Sequence, residues 1–329
     1  MGGLGNQIFQ IFTTISYSIK IQKPFCFLNI ETLGGGSTTE RHTYWNSFFL
    51  KLKPTLFEIT KFNNFFSQQF AITIREDGFR FKDLELLNIH KNIMIYGYFQ
   101  SYKYFDKYFD MICRLINLDK MKENLYLKLG VNNDWFKNTI SLHFRLGDYK
   151  KYSNFHPLLP FEYYLNSLSY ILSSISLQNS NSNSNSNSNK LNSIKNVILN
   201  PIQNEILNQN SIQTYKVIYF CEEEDIKEVN EKIEKLKMYF NLNNLNNLNK
   251  NINLEFIRGE NSFEDWEQML YMSLCNHNII ANSSFSWWSG YFNSNEDKII
   301  CYPSLWFSEV ANIDVRDLCP ESWIKMPIY

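Results

Sequence analysis

Residues 277–288 read His277-Asn278-Ile279-Ile280-Ala281-Asn282-Ser283-Ser284-Phe285-Ser286-Trp287-Trp288. The first five have the apolar character of a short buried strand, and Ser283 to Gly290 has the residues to start a helix. Small hydroxyls thus stand where a strand ends and a helix begins. The free N–H groups and positive dipole end of such a helix face whatever sits above the sheet, and a phosphate is the natural guest.

A second segment makes the same demand. Thr139-Ile140-Ser141-Leu142-His143-Phe144 alternates like a strand, and Arg145-Leu146-Gly147-Asp148-Tyr149 turns away from it. In open α/β sheets ligands bind outside the carboxyl ends of strands, and a guanidinium there holds a phosphate through two parallel hydrogen bonds. Arg145 is the principal candidate. An ion pair between Arg145 and Asp148 is the plain structural alternative. His143 points inward with Ser141, which fits a buried histidine as well as a nucleotide contact. A third element opens the chain, where Gly2-Gly3-Leu4-Gly5-Asn6-Gln7 is a glycine turn leading into an apolar, helix-like run from Ile8 to Ile19.

From Phe136 onward, strands and helices alternate. Strands are predicted to Phe144 and at Lys216–Cys221, Asn253–Ile257, His277–Ala281 and Lys298–Tyr302, with helices near Phe161–Leu172, Glu224–Phe240 and Phe263–Leu274. Repeated β-α-β implies a parallel sheet. Up to Trp135 the patterns intermingle, with strands expected at Pro24–Ile30 and Asn92–Tyr98 and helices near Gln7–Lys20 and Tyr102–Leu118. The Asn/Ser-rich tracts near 178–213 and 241–251 offer little to bury and are expected to be disordered insertions.

At 329 residues, with 44% hydrophobic and 16% aromatic content, the chain can fill two packed cores. The expected units are 1–135 and 136–329. A net charge of −1 gives no field for nucleic acid, and no dense basic stripe offsets it. No window of eighteen apolar residues is present, so no transmembrane segment is expected. With the glycine turn beginning at residue two, no signal peptide is expected either, and the location is read as cytoplasmic. Six cysteines without a C-x-x-C pair fit reduced thiols better than a disulfide framework or a zinc site. The glycosylation pattern at Asn282-Ser283-Ser284 falls inside the proposed ligand loop and is discounted.

Three groups of residues carry a family resemblance: Gly2-Gly3-Leu4-Gly5-Asn6-Gln7, His143-x-Arg145-x-Gly147-Asp148-Tyr149, and Met272-Ser273-Leu274-Cys275 with 277–288. Gly97–Ser101, His156-Pro157 with Tyr163-Tyr164, and Tyr302-Pro303 with Trp306-Phe307 are weaker echoes. The chain resembles the alpha-1,2-fucosyltransferase family of glycosyltransferases. That resemblance implies a GT-B-like α/β fold of two facing Rossmann-like domains with parallel sheets, the second of which binds a GDP-sugar. It also implies an inverting transfer of L-fucose from GDP-β-L-fucose to O2 of a galactose-type glycan acceptor, with no metal or other cofactor.

By the same resemblance Arg145 meets the β-phosphate, Ser283, Ser284 and Phe285 meet the diphosphate, and His143 lies close to the nucleotide. Gly5 and Asn6 approach the donor from the first domain, and Gln268 faces the base. Asp148 orients Arg145 or takes part in catalysis. From the residues themselves, Tyr98, Gln100 and His156 read as acceptor contacts or as structural residues; Asp148, Glu162 and His156 are candidate general bases, with no family motif singling one out. Trp287 and Trp288 read as core rather than as a sugar platform.

The sequence departs from the family pattern at three places. The hydrophobic strand that precedes Gly-Gly-Leu-Gly-Asn-Gln in relatives has no counterpart ahead of Met1, so the first domain is expected to lack it. Leu146 stands where many relatives carry a second arginine. Gln268 stands where they often have an aspartate, leaving Glu267 or Asp265 to supply a carboxylate to guanine. Two other readings therefore stay open: a catalytically weakened GDP-sugar-binding protein, and a fucosyltransferase with a non-galactose or protein acceptor.

Overall fold

The computed structural model describes residues 2–34, 40–58, 71–87, 91–188, 213–245 and 252–329. Helix α1 (Leu4–Ile21) starts after an extended Gly3 and ends at Gln22, which sits in the left-handed region at φ 55°. Leu4, Ile8, Phe9, Ile11, Phe12 and Ile15 are all buried, as in a helix inserted into a core rather than laid on its surface.

The chain then passes through β1 (Phe27–Asn29), β2 (Thr32–Leu33), β3 (Arg41–His42), β4 (Leu56–Glu58), β5 (Ala71–Arg75) and β6 (Asn92–Tyr96). Among the described residues these strands make only pairs: β1 with β4 and β5 with β6 in parallel, β2 with β3 antiparallel. The continuous parallel sheet expected within 1–135 is not found among them. Most of these strands have two or three residues, too few to carry a ladder across a sheet.

The helix expected over Tyr102–Leu118 is also interrupted. Two 3₁₀ turns, Tyr102–Tyr104 and Asp106–Tyr108, lead into α2 (Phe109–Ile116), and α3 (Leu118–Leu129) follows after Asn117 at φ 63°. Asparagine tolerates that left-handed conformation, which closes one helix and redirects the next.

Beyond position 136 the elements follow the predicted order. They are β7 (Thr139–His143), α4 (Phe161–Ser188), β8 (Gln213–Phe220), α5 (Ile226–Leu245), β9 (Ile252–Arg258), α6 (Asp265–Leu274), β10 (His277–Ile279), α7 (Ser284–Tyr291), β11 (Ile300–Pro303) and β12 (Ile324–Met326). Tyr164, Leu168, Ile171, Leu172 and Ile175 give α4 its buried face. This helix runs on to Ser188, past Gln178 where a disordered excursion was expected. A helix already nucleated on a packed face propagates at little further cost. Helix α5 likewise runs to Leu245, four residues past the expected start at Asn241. The remainders of both tracts, 189–212 and 246–251, lie outside the described residues.

The six strands β7 to β12 form one all-parallel sheet in the order β12-β11-β10-β7-β8-β9. The chain builds outward from β7 to β9, then returns to place β10 on the other side of β7. His277, Asn278 and Ile279 pair with Ile140, Ser141 and Leu142, so the carboxyl ends of β7 and β10 lie side by side. That reversal of strand order opens a crevice above the sheet, the place where open α/β sheets bind ligands.

One face of this sheet shares its core with the N-terminal part. Phe9 packs on Trp287 and Trp288 at ring separations of 4.5 and 4.9 Å, and Phe12 on Trp288 at 4.9 Å. Both tryptophans are fully buried, and their indole N–H groups donate to the carbonyls of Leu318 and Gly5. The hydrophobic core is therefore continuous across the boundary expected near 135. No helix among the described residues is long and apolar enough to cross a membrane. Among the described residues the cysteines are all free; Cys275, Cys301 and Cys319 are buried as small apolar groups, whereas Cys26 is exposed.

Candidate active site

Helices α1 and α7 meet at their N-termini. A Cβ on Gly5 would lie 2.4 Å from the carbonyl carbon of Ser284 and 2.6 Å from the amide nitrogen of Phe285, so only glycine permits this approach. The first turn of each helix has N–H groups with no partner inside the helix, and the two dipoles add where they converge. Ser283 caps α7 by accepting the Phe285 N–H at 3.3 Å. The converging ends form part of the wall of a cavity of about 860 Å³.

The predicted site residues other than Glu162 line this one cavity: Arg145 and Asp148; His143, Gly5, Asn6, Ser283, Ser284, Phe285 and Gln268; and Tyr98, Gln100 and His156. Glu162 does not; it is exposed on the first turn of α4. The loop after β7 and the loop after β10 are tied together, because the Tyr149 hydroxyl donates to the Asn282 carbonyl at 2.9 Å. Asn282 is buried, with its amide donating to the carbonyls of Pro157 and Trp306, so the glycosylation pattern there is inaccessible in the fold.

Arg145 makes the expected pair with Asp148 at 2.5 Å and a second pair with Glu222, and its guanidinium lies 5.2 Å from the Tyr149 ring centre. A Cβ on Gly147 would fall 2.3 Å from the Glu222 carboxylate, so glycine lets that carboxylate approach. The Gly147 N–H donates to Asp225 at 2.7 Å, and Lys150 pairs with the same carboxylate at 2.7 Å. This anchors the loop that presents Arg145. The pairs on Arg145 are partly solvated, and such pairs contribute roughly 0.2–1 kcal/mol each, less than a charge-assisted bidentate bond to phosphate provides. Being paired therefore does not keep Arg145 from an anionic ligand.

His143 is buried against Phe285, with ring centres 5.6 Å apart. Burial, with a smaller contribution from Arg145, pushes its imidazole down to about 3, so the ring is neutral near pH 7. Its Nδ1 finds no hydrogen-bond partner among the described residues, so the carbonyl-satisfied alternative is not seen at that atom. His156 stacks on Tyr149 at 4.4 Å, and its basicity is lowered mainly by burial. Gln100 donates to the Asn6 side-chain oxygen at 2.7 Å, leaving its own buried Oε1 without a partner among the described residues.

At the far end, the Gln268 amide donates to the Phe263 carbonyl at 3.1 Å. Of the two carboxylates beside it, Glu267 is committed elsewhere. It closes the capping box of α6 and pairs with Lys128 at 2.6 Å, and it is not part of the cavity wall. Asp265 does line the cavity, where it accepts the Tyr44 hydroxyl.

Arg41, Tyr44 and Glu222 also line the cavity and were not singled out from the sequence. Arg41 pairs with Asp148 at 3.1 Å, on the carboxylate oxygen not used by Arg145. Arg41 and Tyr44 sit in a segment without periodicity or motif, so no local signal marked them, whereas Glu222 directly follows the predicted strand Lys216–Cys221, where the carboxyl-end rule could have found it. Three acidic groups beside the site, Glu222, Glu224 and Asp225, lie within 4.8 Å of one another. Two of them already hold Arg145 and Lys150.

The arrangement is that of an α/β protein whose strand-order reversal lies beside two helix N-termini, a geometry suited to an anionic ligand. Residues 215–326 match the model of Glycosyl transferase family 11, a stretch from β8 to β12 that includes Gln268 and Ser283–Trp288. The chain is 26% identical over 249 residues to the O-antigen biosynthesis glycosyltransferase WbnK of Escherichia coli, covering 73% of this chain and 63% of that protein, less than two thirds of its length. It is 23% identical over 348 residues to an Alpha-1,2-colitosyltransferase of Escherichia coli, covering 99% of this chain and 96% of that one. No solved structure matches. Over residues 215–326 the chain is thus similar to glycosyl transferase family 11, and the two Escherichia coli relatives are glycosyltransferases by name.

Proposed function

We propose that this protein is an inverting glycosyltransferase that moves L-fucose from GDP-β-L-fucose to O2 of a galactose-type acceptor. One observation carries the reading: Arg145 and the Ser283–Phe285 turn stand at the carboxyl ends of the neighbouring strands β7 and β10, Gly5 packs against that turn, and all of them line the same cavity. A departing nucleoside diphosphate gathers charge as the anomeric carbon becomes oxocarbenium-like, and preorganised donors at that point lower the barrier. Arg145 and the two helix N-termini supply such donors without a metal ion.

In this reading the C-terminal sheet holds the donor, the N-terminal part closes over it as in a GT-B-like arrangement, and Tyr98, Gln100 and His156 face the acceptor. Asp265 is the cavity carboxylate nearest in sequence to Gln268, and so it takes the base-facing role in preference to Glu267. Asp148 has both oxygens on guanidiniums, which suits it to orient Arg145. His156, kept neutral by burial, then remains to take the acceptor proton. The colitosyltransferase named above adds colitose to the donor sugars worth testing.

The test is incubation with GDP-fucose, GDP-colitose, GDP-mannose and UDP-galactose, with and without lactose, following nucleotide release. Acceptor-dependent release from GDP-fucose is expected, and Arg145→Ala should lower it at least about 100-fold. Slow hydrolysis that lactose leaves unchanged would favour a weakened binding protein or another acceptor. Release untouched by Arg145→Ala would overturn the assignment.

A further inference from the structure

We propose that Arg41 is a second cation of the diphosphate site, supplied by the N-terminal hairpin and closing with Arg145 on the same anion. This rests on the nucleoside diphosphate reading above and names a residue that the reading does not contain. The geometry is a clamp already closed on a carboxylate: Arg145 Nη2 lies 2.5 Å from Asp148 Oδ1, and Arg41 Nη2 lies 3.1 Å from Asp148 Oδ2. The two guanidiniums approach from different parts of the chain, line the same cavity and remain partly exposed.

Arg41 is held there by its own strand pair and by α1. Its residue pairs with Leu33 in the β2–β3 hairpin, and the next carbonyl, that of His42, accepts the Gln7 side-chain amide at 2.9 Å. The hairpin is thereby moored to the first turns of the helix whose N-terminus faces the cavity. Tyr44, two residues further on, donates its hydroxyl to Asp265, another residue of the cavity wall. A stretch of four residues, Arg41 to Tyr44, is therefore tied to the cavity wall at both ends, with the cation at its start.

Arg41 and Arg145 are paired with Asp148 and Glu222, and the wall also carries Glu40, Glu223 and Asp265, so these two guanidiniums are the arginine or lysine groups of the cavity wall among the described residues on which an anion can be held. A diphosphate offers more charge than the carboxylates and two phosphate groups for two planar donors, so it displaces exposed pairs that are individually weak. Leu146, beside Arg145, is buried in the core and contributes nothing to the cavity.

Isothermal titration tests the proposal with inorganic pyrophosphate, GDP and guanosine, on the full chain and on Arg41→Ala, Arg41→Lys, Asp148→Asn and the double variant Arg41→Ala/Asp148→Asn. Arg41→Ala should weaken pyrophosphate and GDP about 10- to 30-fold, and Arg41→Lys less. Guanosine binding should be unchanged, and the salt dependence for pyrophosphate should become shallower. The loss should persist in the Asp148→Asn background, since a direct contact does not need that carboxylate. An unchanged pyrophosphate affinity, or a loss that vanishes with Asp148→Asn, overturns the proposal while leaving the diphosphate reading intact. If the unaltered protein binds neither pyrophosphate nor GDP, the diphosphate reading itself falls.

Discussion

The C-terminal half and the N-terminal part are built differently. Residues from Thr139 to Met326 make a six-stranded parallel sheet whose ladders need nothing from the rest of the chain. The described N-terminal residues have only strand pairs and depend on what they lean against. Helix α1 buries its aromatic face on α7, Tyr44 bonds Asp265, Lys103 and Arg80 hold Asp317, and Lys122 donates to the Phe292 carbonyl. Order in the N-terminal part is thus borrowed from the C-terminal half. The cavity lies on the shared border, so one packing surface positions both walls of the site.

This contrast predicts where damage spreads. Trp288→Ala removes the ring on which Phe9, Phe12 and Phe105 converge and should cost about 3–5 kcal/mol. Limited proteolysis should then cut the N-terminal part first, while the C-terminal sheet stays protected; uniform cutting would mean that the halves do not differ in autonomy. Gly5→Ala presses a methyl group into the backbone of Ser284 and Phe285 and should cost about 1–3 kcal/mol, through overpacking of the helix–helix contact. Its thermal melt should fall by several degrees, and nucleotide release should fall with it because both helix N-termini shift.

Acid should act from the other side. His143 and His277 stand in β7 and β10, and burial pushes them down to about 3 and about 4. His277 Nδ1 accepts the Ile299 N–H at 3.1 Å, a bond made by the neutral ring. Both histidines are neutral when folded, whereas unfolded ones take up protons below about 6.5, so the stabilisation is complete above that pH and lost as pH falls toward 4. Between pH 6.5 and 5.5 the loss should be about 1 kcal/mol per histidine. Denaturant melts across this range should show it, and His277→Asn, which keeps an acceptor without titrating, should remove its share.

Legibility followed the same division. Strands β7 to β11 were recognisable in the sequence because apolar runs bounded by turn residues carry their own period, and their observed ends fall within about three residues of expectation. Strand β12, which begins directly after Trp323 and is three residues long, is too short to show a pattern. Ahead of position 136 the helix expected over Tyr102–Leu118 is divided, since its apolar residues answer to α1 and α7 and not to one helical face. The motif residues of the site were visible because glycine, arginine and serine at strand and helix ends have few other reasons to be there. Arg41 and Tyr44 were not, because nothing local separates a cleft-spanning arginine or tyrosine from a surface one.

Local pattern alone determined that a parallel sheet exists, that Arg145 and Ser283 sit at the carboxyl ends of strands, and that α1 opens on a glycine turn. Each of these is set by residues adjacent in the chain. That β10 returns beside β7, that Gly5 touches Ser284, and that Arg41 grips the same carboxylate as Arg145 was decided only by the tertiary structure. Those contacts join residues more than a hundred positions apart, through strand pairing, close backbone packing and an ion pair between distant segments, which no single segment encodes.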